Sequence, residues 1–391
     1  MYYDYLKGLN LPSQLKLHEL QEQITKHFYY EEERGKLFLK SNLDAVISIS
    51  DFKILLSKVD VSVSDSFYSS ALSSEKIDRL RWIDVATKRL PGWDGESRIN
   101  QLSNHFILVD EGQRELFSKV FRFWITKSAE MIANPTNEVA VNRLVLCVQS
   151  DKQGIGKTTF GRKLTAPFNE GAIPSVYEMD RPDFGKDAMI QMATNALLML
   201  DDINNWHGGM LKKLKAIISS KNIKARPPYG AFTVSKPRTA SFFATTNQLG
   251  FLNEENDTRW AVFRIKDIDK SYNDIDMSQL WSEAFHLAED SNEVIFTDEM
   301  KEFCIQLSSK HQLKTELDEI VIQWFEECDD SSPTYDLYEQ LPYDIKKLLG
   351  NGTGAVSKLG KSFVRVFGGD KRYRSGGVTK WRLKFKSNRS I

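Results

Sequence analysis

The sequence predicts an α/β fold built on a mainly parallel β-sheet. Two uninterrupted apolar runs, 144–148 and 196–200, end in polar residues, a pattern typical of buried parallel strands. Between about Val139 and Asp267, strand-like and helix-like segments alternate, as expected when helices cover both faces of such a sheet. A glycine-rich loop follows the first run and opens a helix-like segment. With 391 residues, the chain is long enough for two or three domains.

That glycine-rich loop, residues 149–158, predicts a phosphate-binding site. Glycines let backbone N–H groups curl around a phosphate, and the amino terminus of the next helix adds partial positive charge. Lys157 is then expected to reach the β- and γ-phosphates of ATP, and Thr158 to bind Mg²⁺. A chance glycine turn before a helix is the other interpretation. The residues predicted to bind ATP are Gln153, Gly154, Ile155, Gly156, Lys157, Thr158 and Thr159.

Asp151 stands where this motif has its first glycine. Aspartate tolerates a left-handed backbone better than most non-glycine residues, so the loop is still expected to form. Its negative charge beside a phosphate loop is unfavourable.

Two acids close the second apolar run. Carboxylates at the carboxyl end of a parallel strand point into the crevice where α/β sheets bind ligands. We expect Asp201 to hold Mg²⁺, through water, and Asp202 to orient the attacking water. The alternative is that both acids cap the next helix, a position that favours them.

A third strand, 240–247, ends at Asn247, and a turn before the next strand carries Arg259. The Asn247 amide can donate one hydrogen bond and accept another, which suits a sensor of the γ-phosphate. An arginine at a subunit edge can stabilise charge on a neighbour's nucleotide during phosphoryl transfer. The alternatives are a strand-ending turn residue for Asn247 and a surface salt bridge for Arg259.

The charge of the chain is balanced overall but unevenly distributed. Lys plus Arg and Asp plus Glu each number 53, yet residues 346–391 hold thirteen Lys or Arg and one Asp. Such a segment predicts an anionic partner at the carboxyl-terminal end. The three cysteines fit no zinc or disulfide spacing, and no apolar run reaches the length of a membrane span. No signal peptide is evident, so the expected location is the cytoplasm and no membrane partner is expected.

The pattern of the sequence divides the chain into four predicted parts. Before the sheet, 17–28 and 75–133 have mostly helical spacing, and 45–49 and 59–63 read as strands. The segment 62–74 is serine-rich and reads as a linker. The predicted parts are 1–74, a small region of unknown role; 75–135, a helical segment; 136–325, the α/β core; and 326–391, a basic module.

Several of these residues also resemble the virulence-associated protein E family. The resemblance covers about Pro91 to Arg264 and rests on the order and spacing of short motifs more than on any one of them. The matching pieces are 90–95 with Arg98, 153–158, 226–230, 237–238, 244–247, and 251–252 leading to Arg259.

This resemblance implies an AAA+ ATPase core related to superfamily 3 helicases, preceded by a helical collar. It implies an oligomer, most often a hexameric ring, that moves along DNA in the replication of a phage or other mobile element. It implies Lys157 and Thr158 as nucleotide ligands, Asp201 and Asp202 as the acidic pair, Asn247 as the sensor and Arg259 as the finger. The chain departs from the family pattern in having Asp202 where a glutamate base is common, and only one of two finger arginines.

A basic stretch lies between the acidic strand and Asn247, and the resemblance implies that it contacts single-stranded DNA in a ring channel. Residues 223–234 can be drawn as a hairpin around a turn, and in superfamily 3 helicases a hairpin at this place grips DNA phosphates. Lys224 and Arg226 are the expected phosphate contacts, and Tyr229 can stack on a base or sugar. Lys212, Lys213 and Lys215 are interpreted instead as the solvated face of a helix.

The basic module predicts a winged-helix-like fold that binds duplex DNA. Helices are expected over 335–349 and 354–367, followed by a hairpin over 373–385 that turns at 375–377. A basic helix face beside a basic wing is a duplex-binding arrangement, and a solvated basic tail is the alternative. The residues predicted to contact DNA here are Lys358, Lys361, Arg365, Lys371, Arg372 and Arg374.

Two functions are compatible with these features. The first is an ATP-dependent DNA helicase or translocase acting as a ring. The second is a DNA-binding replication initiator or regulator that uses ATP only to set its oligomeric state.

Overall fold

A computed structural model describes most of the chain. The described residues are 17–31, 36–58, 64, 72, 77–169, 175–179, 184–203, 208–225, 234–247, 252, 257–290, 292–310, 316–350, 352–367 and 371–386. Within these residues, no helix combines the length and apolar character needed to span a bilayer.

The amino-terminal part is a small antiparallel sheet flanked by two helices. The elements are α1 (Leu17–His27), β1 (Phe28–Glu31), β2 (Lys36–Leu39), β3 (Asn42–Ser48) and α2 (Ile49–Lys58). The strands pair in the order β1-β2-β3. The helix expected over 17–28 and the strand over 45–49 are present. The expected strand over 59–63 lies outside the described residues, as does nearly all of the expected linker over 62–74.

The next segment is helical, as expected, apart from one short strand. It contains α3 (Trp82–Lys88), α4 (Arg98–Asn104), β4 (Phe106–Leu108) and α5 (Arg114–Ala133). The α5 helix is buried along most of its length because it packs on one face of the main sheet. The β4 strand pairs antiparallel with the strand of that sheet that comes last in the chain.

The main sheet has six strands, of which all but β4 are parallel. Its strands lie in the order β4, β11 (Trp260–Ile268), β5 (Val145–Gln149), β10 (Ser241–Thr246), β7 (Leu197–Leu200) and β6 (Val176–Met179). The mainly parallel sheet expected from the sequence is therefore present. The helices between its strands are α6 (Lys157–Leu164), α7 (Lys186–Thr194) and α8 (Gly208–Ser219). Two further strands, β8 (Asn222–Ala225) and β9 (Val234–Pro237), pair with each other in a separate sheet.

Both faces of this sheet are buried, which explains its continuous apolar runs. In β5, Leu146 and Val148 join the core on the α5 side, whereas Val145 and Cys147 join the core on the other side. Alternation of side chains along a strand sends successive apolar residues into opposite cores. The buried core of the sheet therefore lies directly behind the loops that leave the carboxyl ends of β5, β7 and β10.

The carboxyl-terminal part has a hydrophobic core of its own. After α9 (Met277–Leu287) and α10 (Asp298–Lys310), three strands pair in the order β12-β14-β13. Phe325, Leu359, Phe363 and Trp381 lie in their core. The expected helix over 335–349 is two helices, since Pro342 precedes the second one. The elements are α11 (Glu316–Trp324), β12 (Phe325–Pro333), α12 (Thr334–Glu339), α13 (Tyr343–Leu349), α14 (Thr353–Phe367), β13 (Arg372–Ser375) and β14 (Val378–Phe385).

Candidate nucleotide site and nucleic-acid surfaces

The loop between β5 and α6 has the geometry of a phosphate cradle. Gly154 and Gly156 have φ of +73° and +89°, a region that L side chains rarely adopt. No atom lies within 4 Å of where a Cβ would stand at either glycine, so the space in front of the loop is open. The α6 helix begins at Lys157, directly after the second glycine. Its free N–H groups therefore face a site suited to an anion.

Lys157 is held by the end of a neighbouring strand. Its Nζ lies 2.6 Å from Oδ1 of Asn247 and 3.5 Å from the carbonyl oxygen of Thr246. Burial lowers the pKa of the Lys157 ammonium from its usual 10.5, and the charge of nearby Asp201 partly offsets this effect. The cation is thus poorly solvated, a state that a phosphate oxygen would relieve. The predicted phosphate ligand and the predicted sensor are in direct contact.

The two acids that follow β7 are organised by one threonine. The hydroxyl of Thr245 donates a hydrogen bond to Asp201 Oδ1 and accepts one from the backbone N–H of Asp202, at 3.1 Å. Asp202 has a φ of +48° and is the non-glycine residue with positive φ in the described part of the chain. Asp151 therefore does not use the left-handed backbone that was considered for it.

Asp201 also lies close to the start of α6. Oγ1 of Thr158 lies 3.5 Å from Oδ2 of Asp201, so a hydroxyl and a carboxylate face each other beside the cradle. The described residues hold no cluster of three or more His, Cys, Asp or Glu that could bind a metal unaided. Mg²⁺ at phosphate sites needs only one or two carboxylates, because phosphate oxygens and waters complete its shell. The Thr158–Asp201 pair fits that requirement.

Strand order explains why these residues meet. The β10 strand lies between β5 and β7, although it follows both in the chain. Its last residues therefore stand between the phosphate loop of β5 and the acids of β7. Thr245 was missed in the sequence analysis because a hydroxyl at a strand end carries no distinctive pattern. Its position two residues before Asn247, near the end of the third predicted strand, was the available signal.

The charge of Asp151 is matched by an arginine on β11. Nη2 of Arg264 lies 3.2 Å from Oδ2 of Asp151, and its Nε donates to Oε1 of Gln149 at 2.9 Å. The amide of Gln149 in turn donates to Oδ1 of Asp151 at 2.7 Å. The feature that the sequence marks as unfavourable thus has a partner 113 residues further along the chain.

Arg259 lies at the opposite edge of the sheet from the phosphate loop. In the parallel pairing of β11 with β5, Trp260 stands opposite Val145 and Arg264 opposite Gln149. Five residues of strand, about 17 Å at ~3.3 Å per residue, separate the two edges. Arg259 contacts Asp257 at 3.2 Å and lines a cavity of about 730 Å³ together with Lys127 and Arg143. It therefore does not reach the cradle of its own chain.

A family model for the virulence-associated protein E-like domain matches residues 88–313, more than half of the chain. The chain belongs to this family. The match covers the cradle, both acids, Asn247 and Arg259, and it leaves out the carboxyl-terminal sheet.

Solved structures with a similar arrangement are distant in sequence. The apo C-terminal region of NrS-1 (305–718) gives a TM-score of 0.48 at 12% identity, covering 95% of this chain and 99% of that chain. An A form of the same region gives 0.46 at 12% identity with the same coverage. No curated protein matches the chain.

The structure describes the base of the hairpin that the sequence analysis predicts to contact DNA. The β8 and β9 strands pair antiparallel, with Lys224 opposite Ser235. Lys224 is exposed, whereas Arg226 and Tyr229 lie outside the described residues. Lys215, interpreted as part of a solvated helix face, instead pairs with Asp257 at 2.8 Å.

Arg238, also in the basic stretch, is a structural residue. It is 2% exposed and donates to the carbonyls of Ser220, Ala240, Asn142 and Ile218 at 2.6–3.1 Å. Burial lowers the pKa of its guanidinium to about 9, which leaves it charged at neutral pH. A cation that satisfies carbonyls at the end of α8 fixes the base of the hairpin.

The predicted duplex-binding residues fall into two groups. Lys361 and Arg372 are exposed and line a groove of about 510 Å³ between α14 and the β13–β14 hairpin, and Arg374 is exposed on β13. Arg365 instead forms an ion pair at 2.8 Å with Asp318 of α11.

Two further lysines of this set also contact other parts of the module. Lys371 pairs with Glu327 at 2.8 Å. Nζ of Lys358 lies 3.3 Å from the Leu349 carbonyl oxygen, at the end of α13. Helical spacing alone therefore does not separate exposed cations from those that contact other residues of the module.

Proposed function

We propose that this protein is an ATP-dependent DNA helicase or translocase that acts as an oligomeric ring in the replication of a phage or other mobile element. The observation that carries the proposal is the meeting of Lys157, Asn247, Thr158 and Asp201 at one edge of the sheet. These are a phosphate cation, an amide sensor and a magnesium-type pair. A chance glycine turn would not bring the four together.

In the proposed mechanism, the loop N–H groups and Lys157 bind the triphosphate, while Thr158 and Asp201 hold Mg²⁺, the acid through water. When bound, Mg²⁺ would neutralise the negative charge that develops during phosphoryl transfer. Asp202 orients the attacking water. Asn247, released from Lys157 when phosphate takes its place, turns its amide to the γ-phosphate. A site of this kind acts by positioning and electrostatics.

Arg259 completes the site of a neighbouring copy. Since about 17 Å of strand separates it from its own cradle, its role in phosphoryl transfer requires a second chain. This geometry supports an AAA+ assembly, most often a hexamer, with nucleotide between subunits. The partly exposed Arg259 side chain, beside a cavity at the sheet edge, is compatible with such an interface.

The DNA contacts belong to two separate surfaces. Lys224 of the β8–β9 hairpin would bind single-stranded DNA in the channel. Arg226 and Tyr229 would contact the same strand. The carboxyl-terminal module, with helices followed by a β13–β14 wing, would bind duplex DNA as a winged helix. Phosphate contact dominates such affinity and makes it depend steeply on salt.

A strand-displacement assay on a forked duplex tests the proposal. ATP-dependent unwinding by the unmodified protein, lost in Lys157→Ala, is the expected result. DNA binding that depends on ATP without unwinding would favour the replication initiator or regulator instead. Failure to retain ATP with Mg²⁺ would remove both functions.

A further inference from the structure

The tie between Asp151 and Arg264 has a consequence for nucleotide binding. We propose that Arg264 is a positioning residue that allows the phosphate loop to carry an aspartate in place of its first glycine. This inference rests on the proposed nucleotide site. Arg264 neutralises the charge of Asp151 and holds the Asp151 carboxylate on the side of the loop that faces the sheet.

Both oxygens of the Asp151 carboxylate already have a donor. Oδ1 accepts from the Gln149 amide at 2.7 Å, and Oδ2 faces Nη2 of Arg264 at 3.2 Å. Gln149 is 1% exposed, and its amide oxygen accepts from Nε of Arg264 at 2.9 Å. The three side chains therefore form a closed set, and Asp151 is not free to turn toward a bound phosphate.

The position of Arg264 is fixed by strand pairing. It stands directly opposite Gln149 in the β11–β5 register, at the point where β5 passes into the loop. Because strand pairing already fixes the backbone of Arg264, less backbone entropy is lost on forming the ion pair than for an arginine on a loop.

The ion pair between Arg264 and Asp151 matters because the expected ligand is itself negatively charged. A triphosphate carries several negative charges, and an unpaired carboxylate six residues before Lys157 would repel them. The side chains of Arg264 and Asp151 are 41% and 70% exposed, so solvent and salt screen the effect. We therefore expect a moderate, salt-dependent contribution that depends on both residues together.

The test is a double-mutant cycle on nucleotide affinity. Binding of a fluorescent ATP analogue with Mg²⁺ is titrated for the unmodified protein, Arg264→Ala, Asp151→Gly and the double variant. Arg264→Ala should weaken binding by about tenfold at low salt, and by less at high salt. The same substitution in the Asp151→Gly background should change affinity less than about twofold. Lys301→Ala removes an exposed, paired cation elsewhere and serves as the control.

Equal weakening in both backgrounds would overturn the inference, because Arg264 would then act on the nucleotide or on the fold independently of Asp151. No change in either background would overturn it as well. Should the alanine variant fail to fold, Arg264→Gln with Asp151→Asn repeats the cycle with less change in shape. Failure of the unmodified protein to bind the analogue is a separate result, which would remove the proposed function itself.

Discussion

At the scale of single residues, Thr245 connects both acids of the candidate site. Its hydroxyl donates to Asp201 and accepts from the N–H of Asp202, which has a left-handed backbone that aspartate tolerates better than most residues with a side chain. Loss of that hydroxyl would free the Asp201 carboxylate and release the turn at Asp202. The acids would then no longer be held at the positions that magnesium and water require.

Thr245→Val is therefore expected to lower kcat for ATP hydrolysis about 10- to 100-fold, since two hydrogen bonds of about 1 kcal/mol each are removed. Activation by Mg²⁺ should shift to higher concentration, while nucleotide binding without metal stays within about twofold. Thr245→Ser keeps the hydroxyl and should retain most activity. Steady-state hydrolysis across a Mg²⁺ series is the measurement, and a valine variant with unchanged kcat would contradict this role.

Arg365 is a second case in which the structure adds a partner that spacing could not reveal. Asp318 is fully buried, and besides Arg365 it accepts a hydrogen bond from Ser362. Arg365→Ala would leave a buried carboxylate without its counter-charge and should destabilise the carboxyl-terminal module by about 3–5 kcal/mol. Urea unfolding followed by tryptophan fluorescence measures this. Lys361→Ala, on the exposed groove, should lower duplex affinity with little change in stability; the reverse pattern would show Arg365 to be the DNA contact.

At the scale of elements, the strands that the sequence predicts are those with long apolar runs. The segments 144–148, 196–200 and 240–247 are strands because burial on both faces leaves an unmistakable composition. The β4 strand, Phe106–Leu108, was missed because three residues carry no period. Its state is decided by pairing with β11, more than 150 residues away.

The amino-terminal strands and the site contacts show the same limit. The β1 strand follows α1 with no turn residue between them, and no turn signal separates β3 from α2. In the site, the phosphate loop, the acids and Asn247 were identified from local patterns. Thr245 and the partner of Asp151 were not, since only the strand order β11-β5-β10-β7 brings them together. Local sequence patterns thus identify single motifs, whereas contacts between residues on different strands depend on how the strands pair.

The β8–β9 hairpin carries the prediction that belongs to this scale. Lys224 is exposed on β8, and its removal should weaken binding of single-stranded DNA and reduce the slope of log K against log salt by about 0.7. The fold should be unaffected, because Arg238 holds the base of the hairpin. Lys213→Ala removes an exposed lysine from α8 and should have no such effect. Fluorescence anisotropy with a labelled oligonucleotide across a salt series decides between them, and equal effects of both variants would contradict a channel hairpin.

At the scale of the whole molecule, Arg259 and Arg264 lie at opposite edges of the main sheet, separated by about 17 Å along β11 at ~3.3 Å per residue. Arg264 lies opposite the last residue of β5 and pairs with Asp151 of its own chain, whereas Arg259 precedes the first residue of β11 and lies at the far edge of the sheet. Under the proposed function, a chain with this layout offers half of a nucleotide site at each edge. Head-to-tail contact between copies would join the two halves and closes into a ring when the rotation allows.

Two inactive variants should therefore restore each other. Lys157→Ala cannot bind the phosphates but offers an intact Arg259, whereas Arg259→Ala binds ATP without the neighbour's arginine. In a randomly mixed 1:1 assembly, about a quarter of the interfaces combine an intact cradle with an intact arginine, so hydrolysis should recover to roughly that fraction. Mixing Lys157→Ala with the double variant creates no complete site and should recover nothing. Because complementation needs an arginine supplied by another chain, an absence of recovery in assemblies shown to exchange subunits would mean that Arg259 does not act across an interface.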